Sequence, residues 1–289
     1  MPNPPILTRR EALRTAALGT LAFPLLNTRG VAATPAAAPA KPAPFRFGCA
    51  TYGQRALSVD DLLTALKAVR LANVALYKAH FNWETGTPDE ARAVAAKCAA
   101  AGIAITGTGV VNFKNDEAAC RKAFDNAKAA QLPLMVCKPD LDALPLVEKL
   151  AKEYNQRLAI HNHGPEDKVY PSPYDVMKAI TPLDARIGLC LDVGHAMRAK
   201  ADPAEAVRKC AARLYDVHLK DSLAIPGSDK DIPVEIGAGR MDIRGILRAL
   251  REINYTGVAS FEYEKPTGNP ITGLAESVGY VRGLLAGMV

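Results

Sequence analysis

Short apolar runs recur eight times along residues 45–289, and a stretch with helical spacing of apolar residues follows nearly every one. The runs are FRFGCATY (from 45), NVALYKAHF (73), GIAITGTGV (102), LPLMVCKP (132), RLAIHNH (157), RIGLCLDVGH (186), RLYDVHLKD (213) and GVASFEYE (257). Near-continuous apolarity over so few residues is what a strand covered on both faces requires. Between the runs, SVDDLLTALKAVRLA and DEAACRKAFDNAKAA place apolar residues at i, i+3, i+4 and i+7. Ser58 with Asp61, Thr87-Pro88 with Glu90, and Asp202-Pro203 with Glu205 have the form of helix N-caps. Strand and helix alternating eight times predict an α/β fold, a parallel (β/α)8 barrel built as one domain. An open doubly wound sheet fits less well, because no glycine-rich phosphate loop follows the first strand. One interval, before the last strand, is longer than the others.

Barrels of this kind do chemistry at the C-terminal ends of their strands. All five histidines fall there. His80 ends the second run, His161 and His163 end the fifth, His195 lies just past the sixth, and His218 is near the end of the seventh. His161 and His163 are two apart, so in a strand they share a face. Asp192, Asp221, Glu262 and Glu264 lie at the same level. A divalent metal needs three or four such side chains converging from several directions with a position left open, and a ring of strand ends supplies that convergence.

LDVGH in the sixth run, DVHLKD in the seventh and FE in the eighth resemble the xylose isomerase-like TIM barrels, over about residue 45 to the end. That family includes sugar isomerases and epimerases, inosose-processing enzymes and endonuclease IV. The resemblance implies one divalent ion (Mn, Mg, Zn or Co). In its epimerase-like members Glu, Asp, His and Glu from strands five to eight hold the metal, and Asp192, His218 and Glu262 match the last three. The first glutamate is replaced here by His161 in LAIH, which makes His161 the expected fourth ligand and His163 its substitute or a contact to substrate. Glu166, past the Gly164-Pro165 turn, is a more distant alternative.

The expected enzyme is a secreted, metal-dependent sugar isomerase or epimerase. It would abstract a proton next to a metal-bound carbonyl of a sugar or keto sugar, through an enediolate. Glu262, His163, Lys220 and His80 are the candidate catalytic groups. His195, Lys78, Lys138, Trp83 and Glu264 are candidates for holding substrate. Loss of a glutamate to His161 weakens the case for epimerisation on two faces. A lyase or hydratase that acts on 3-keto-glycosides by β-elimination is therefore the alternative. A non-catalytic periplasmic sugar-binding barrel and a nuclease of the endonuclease IV kind are more remote readings.

Residues 1–33 read as an address. Paired arginines in TRREALR precede a short apolar run, TAALGTLAFPLLN, and then small residues, which is the pattern of a twin-arginine signal peptide. Residues 34–44 form an Ala/Pro linker and residues 45–289 the barrel. Export to the periplasm or beyond follows, with no stable membrane span after cleavage. Arg9, Arg10, Arg14 and Arg29 against Glu11 account for half of the formal net charge of +6. What remains on the barrel is too small for a nucleic-acid footprint. The expected partner is a small sugar, and a homo-oligomer is compatible with the sequence. Six cysteines without CxxC spacing, three of them in apolar runs, read as buried free thiols.

Overall fold

The computed structural model describes residues 45–228 and 230–288, so the expected signal peptide and linker lie outside the described residues. Each of the eight apolar runs contains a strand. In chain order they are β1 (Arg46–Ala50), β2 (Asn73–Leu76), β3 (Ala104–Thr108), β5 (Met135–Pro139), β6 (Leu158–His161), β7 (Ile187–Asp192), β8 (Leu214–Leu219) and β11 (Val258–Phe261). Three further strands occur: β4 (Val111–Phe113) and an antiparallel hairpin of β9 (Asp221–Ala224) with β10 (Asp231–Val234). The hairpin fills the long interval before the last strand.

Nine strands form one parallel sheet in the order β3-β2-β1-β11-β8-β7-β6-β5-β4. β4 follows β3 after two residues and pairs with β5, so the two pieces act as one stave of an eight-stave barrel. At that seam a side chain bridges the staves. The Thr108 hydroxyl accepts from Val136 N at 2.9 Å and donates to Val136 O at 3.0 Å. Leu158, Ile160, Leu189, Leu191, Val217 and Ala259 are fully buried, as strands between a filled barrel and an outer helix layer must be.

The three caps read from the sequence are made: Asp61, Glu90 and Glu205 donate their backbone N–H groups to Ser58, Thr87 and Asp202. His195 likewise donates its backbone N–H to Asp192 Oδ1 at 2.8 Å, so the helix Val193–Arg198 starts directly on the strand end. All six cysteines are buried and unpaired. No helix among the described residues is long and apolar enough to cross a membrane.

Candidate metal centre at the barrel mouth

β6, β7, β8 and β11 are consecutive neighbours in the sheet, and their register brings four side chains together. Asp192 lies directly beside His218, and Ser260 pairs with His218 on the other side, which sets Glu262 one step above. His161 reaches in from β6. One ligand-type atom from each of His161, Asp192, His218 and Glu262 lies within 4.8 Å of the rest. His161 Nε2 is 3.2 Å from His218 Nδ1 and 3.4 Å from Asp192 Oδ2, and His218 Nδ1 is 2.9 Å from Glu262 Oε2. Ligands about 2.1 Å from a tetrahedral ion stand about 3.4 Å apart, so this spacing suits a first-row divalent metal.

The donor set also calls for a cation. His218 has an acceptor on each side, Glu262 at Nδ1 and Asp216 Oδ2 at 3.4 Å from Nε2. Burial opposes a charge on His218, yet Cys190, Glu262 and Asp216 hold its pKa well above the usual value. Burial pushes His161 the other way, down to about 3, helped by His163, so this ring is a neutral donor. Burial alone would raise the Glu262 and Asp192 carboxyls. Lys220 holds both well below their usual range, aided by His218 at Glu262 and by His195 and His161 at Asp192. Two neutral-capable imidazoles and two ionised carboxylates, all buried, form a set that binds a borderline divalent ion.

Neighbouring residues fix these ligands. Asn162, fully buried, clamps the Asp192 backbone from both sides, donating to its carbonyl at 3.1 Å and accepting its N–H at 2.9 Å. With Oδ1 engaged as the cap of His195, Asp192 is left with Oδ2 facing His161 and Lys220. Asp216 Oδ2 stands 3.4 Å from His218 Nε2, the side of the ring where a carboxylate supports a metal-bound imidazole. The sequence reading missed Asp216, although its place two residues before His218 puts it on the same strand face.

A cavity of about 410 Å³ opens above the four residues. His163, His195, Lys220 and Glu264 line it on one side, Tyr52, Tyr77 and Lys78 on the other. Lys220 lies 3.0 Å from both Asp192 Oδ2 and Glu262 Oε2 and 3.1 Å from Glu264. Burial raises the Glu264 pKa, with Glu262 and Asp192 adding to it against Lys220. The tyrosines pack edge-to-face at 4.9 Å between centroids. They were also missed, though both stand at strand ends, in CATY and ALY.

His163 and His195 carry opposite hydrogen-bonding assignments. His163 Nδ1 is 3.1 Å from the His161 carbonyl, an acceptor, so Nδ1 carries the proton and Nε2 the lone pair. His195 Nδ1 is 2.9 Å from an Arg198 guanidinium nitrogen, a donor, so its Nε2 carries the proton. Burial lowers both pKa values, that of His195 to about 4, and keeps the rings neutral. Behind His163 the chain turns at Gly164, whose φ of +88° is one that side chains rarely adopt; a Cβ there would also meet Arg198.

Three of the expected site residues are not brought to this cavity. His80 has its Nδ1 3.0 Å from the Thr51 hydroxyl and its Nε2 3.2 Å from the Gln54 carbonyl, so protein groups occupy both ring nitrogens. Trp83 is 2% exposed, donates to the Leu76 carbonyl at 2.9 Å and packs against Phe81, which makes it a core residue. Lys138 is engaged by Asp167. Glu166, the distant ligand alternative, pairs with Arg198 at the rim.

The family model for the xylose isomerase-like TIM barrel matches residues 141–284. An uncharacterized protein of Methanocaldococcus jannaschii is 28% identical over 128 residues, which are 43% of this chain and 42% of that protein, so the match spans less than half of that relative. Among solved structures, the IOLI protein with a bound zinc atom superposes with a TM-score of 0.69 at 14% identity, over 85% of this chain and 99% of that one. A 3-keto-D-glucoside 4-epimerase from E. coli does so with a TM-score of 0.66 at 14% identity, over 83% and 99%. These likenesses extend the fold over the first half of the barrel, which the family match leaves out. Over residues 141–284 the chain belongs to the xylose isomerase-like TIM barrels, and its fold is that of a TIM barrel.

Proposed function

We propose that this protein is a divalent-metal-dependent enzyme of sugars or keto sugars that removes a proton from the carbon beside a carbonyl. The observation that carries this reading is the His163 ring. Its Nδ1–H is committed to the His161 carbonyl, so a lone pair faces the cavity directly above the four candidate ligands. A neutral imidazole so positioned is a general base. His161, Asp192, His218 and Glu262 would hold the ion, which would polarise the carbonyl and offset the charge that develops on its oxygen. Tyr52 and Tyr77 offer the sugar a ring surface in place of the expected Trp83. Proton return to a neighbouring carbon completes an isomerisation.

A second reading, β-elimination from an oxidised sugar, is favoured by His195. Its Nε2–H is a donor where His163 is an acceptor, which suits a reaction that takes a proton at one atom and assists a departing oxygen at another. The strand position that carries a glutamate in the epimerase-like members carries His161 here, and that substitution also weighs against two-faced epimerisation.

The test is incubation of the metal-loaded protein with aldo, keto and 3-keto sugars in D2O, followed by NMR. Deuterium should enter at the carbon beside the carbonyl and should fail to do so with His163→Ala. Absence of exchange with every sugar would remove the reading. Residues 1–33 support export by the twin-arginine route, which loss of export of a reporter fusion on Arg9→Lys, Arg10→Lys would verify.

A further inference from the structure

One layer below Asp192, toward the N-terminal ends of the strands, lies a donor set that the chemistry above leaves unused. Cys190 stands two residues before Asp192 on β7, so the two share a face of the sheet. Its neighbours in the sheet are His161 on β6 and Asp216 on β8. One ligand-type atom from each of His161, Cys190 and His218 lies within 4.8 Å of the others. Cys190 Sγ is also 3.7 Å from Asp216 Oδ2, which is 3.4 Å from His218 Nε2. All four side chains are buried.

Two ring nitrogens are unsatisfied here. His161 Nδ1 makes no hydrogen bond, and His218 Nε2 approaches Asp216 without completing one. A bond to a cation would remove the cost of burying such atoms without partners. Sulfur with two imidazoles selects a soft ion such as Cu+ or Cd2+, whereas the two carboxylates of the upper set also suit a harder ion such as Mn2+. Leu134, Val136 and Ala159 pack around Cys190, a setting that a strongly hydrated ion would not enter. Burial pushes the Cys190 thiol up to about 12, so only an ion that bonds sulfur strongly displaces its proton. Cavities lie on both sides of the set. His161 and His218 line the one at the mouth, and Asp216 and Leu134 line one of about 150 Å³ at the N-terminal ends of the strands.

We propose that His161, Cys190 and His218 form a second cation site, selective for a soft ion, whose occupation empties the site above it. The emptying rests on the ligands assigned under the proposed function; the deeper site itself stands on Cys190. When the ion binds, the Cys190 S–H bond breaks, its proton goes to solvent and a sulfur–metal bond forms, with no oxidation or reduction. His218 Nε2 bonds the same ion. The one proton left on the ring then sits on Nδ1, where Glu262 Oε2 accepts it at 2.9 Å. The ring has no lone pair left for an ion at the mouth. Cys190 is thus the residue through which a soft cation would disable the enzyme.

Two measurements test this. In the first, Cd2+ displaces Mn2+ from the full chain, followed by electron paramagnetic resonance of the released Mn2+. Cys190→Ser should need at least 10-fold more Cd2+ for half release, while it binds Mn2+ within twofold of wild type. Equal Cd2+ requirements, or Mn2+ and Cd2+ affinities that fall together, would overturn the deeper site. The second measurement needs no variant. X-ray absorption at the cadmium edge, on wild type with one equivalent of Cd2+, should show a sulfur ligand beside imidazole nitrogens. A shell of nitrogen and oxygen alone would overturn the proposal. Failure of the wild type to bind Mn2+, with sulfur still bound to Cd2+, would instead overturn the ligand assignment at the mouth.

Discussion

The two halves of the barrel mouth carry the same kinds of residue and use them in opposite ways. On the β1–β2 side, His80, Trp83 and Thr51 turn their polar atoms to the protein's own backbone and to one another. On the β6–β7–β8–β11 side, His161, Asp192, His218 and Glu262 turn theirs toward a common point, where one ligand-type atom of each lies within 4.8 Å of the others. The first arrangement is complete as it stands. The second is stable only with positive charge among its members, which Lys220 supplies in part and a divalent ion would complete. What separates a structural histidine from a ligand is thus the partner that waits for each ring nitrogen.

The comparison is broken most severely by exchanging the fates of the two halves. Asp192→Ala or His218→Ala should remove stoichiometric metal, read by elemental analysis after dialysis, and abolish turnover with the melting profile still cooperative. His80→Ala should do the reverse. It should keep metal and turnover but lower stability by about 1–3 kcal/mol in urea unfolding, because the Gln54 carbonyl and Thr51 hydroxyl lose a buried partner. A smaller effect is expected from Asp216→Asn, which leaves all four ligands in place and weakens the orientation of His218. Metal affinity should drop about 10- to 100-fold, the usual cost of disturbing a group behind a ligand. The smallest is Trp83→Phe, which keeps the aromatic packing and loses one hydrogen bond. It should cost about 1 kcal/mol and leave turnover of any sugar unchanged.

Much of this was legible from the chain alone, and the omissions have physical causes. The eight barrel strands announce themselves through local apolarity, and the caps at Ser58, Thr87 and Asp202 depend on residues only three apart. Asp192, His218 and Glu262 were reachable because each sits at the end of a run. His80 and Trp83 sit at run ends too. Their exclusion depends on the Gln54 carbonyl, 26 positions from His80, and on the Leu76 carbonyl behind Trp83, which no local pattern reveals. The β9–β10 hairpin escaped because its strands are half exposed and carry Pro233, so neither apolarity nor β propensity marks them. The roles of His163 and His195 rest on which nitrogen faces a carbonyl and which a guanidinium.

The most direct test of the account is to measure divalent-metal affinity for His161→Ala and His163→Ala side by side, with Zn2+ and Mn2+ as probes. The two rings are 4.4 Å apart and two residues apart in sequence, yet they are assigned to different tasks. The account predicts that His161→Ala weakens binding by about 10- to 100-fold or more. It predicts that His163→Ala binds like wild type while turnover falls by about 10²- to 10⁴-fold, as loss of a general base does. Metal lost from His163→Ala and kept by His161→Ala would contradict the assignment at its centre.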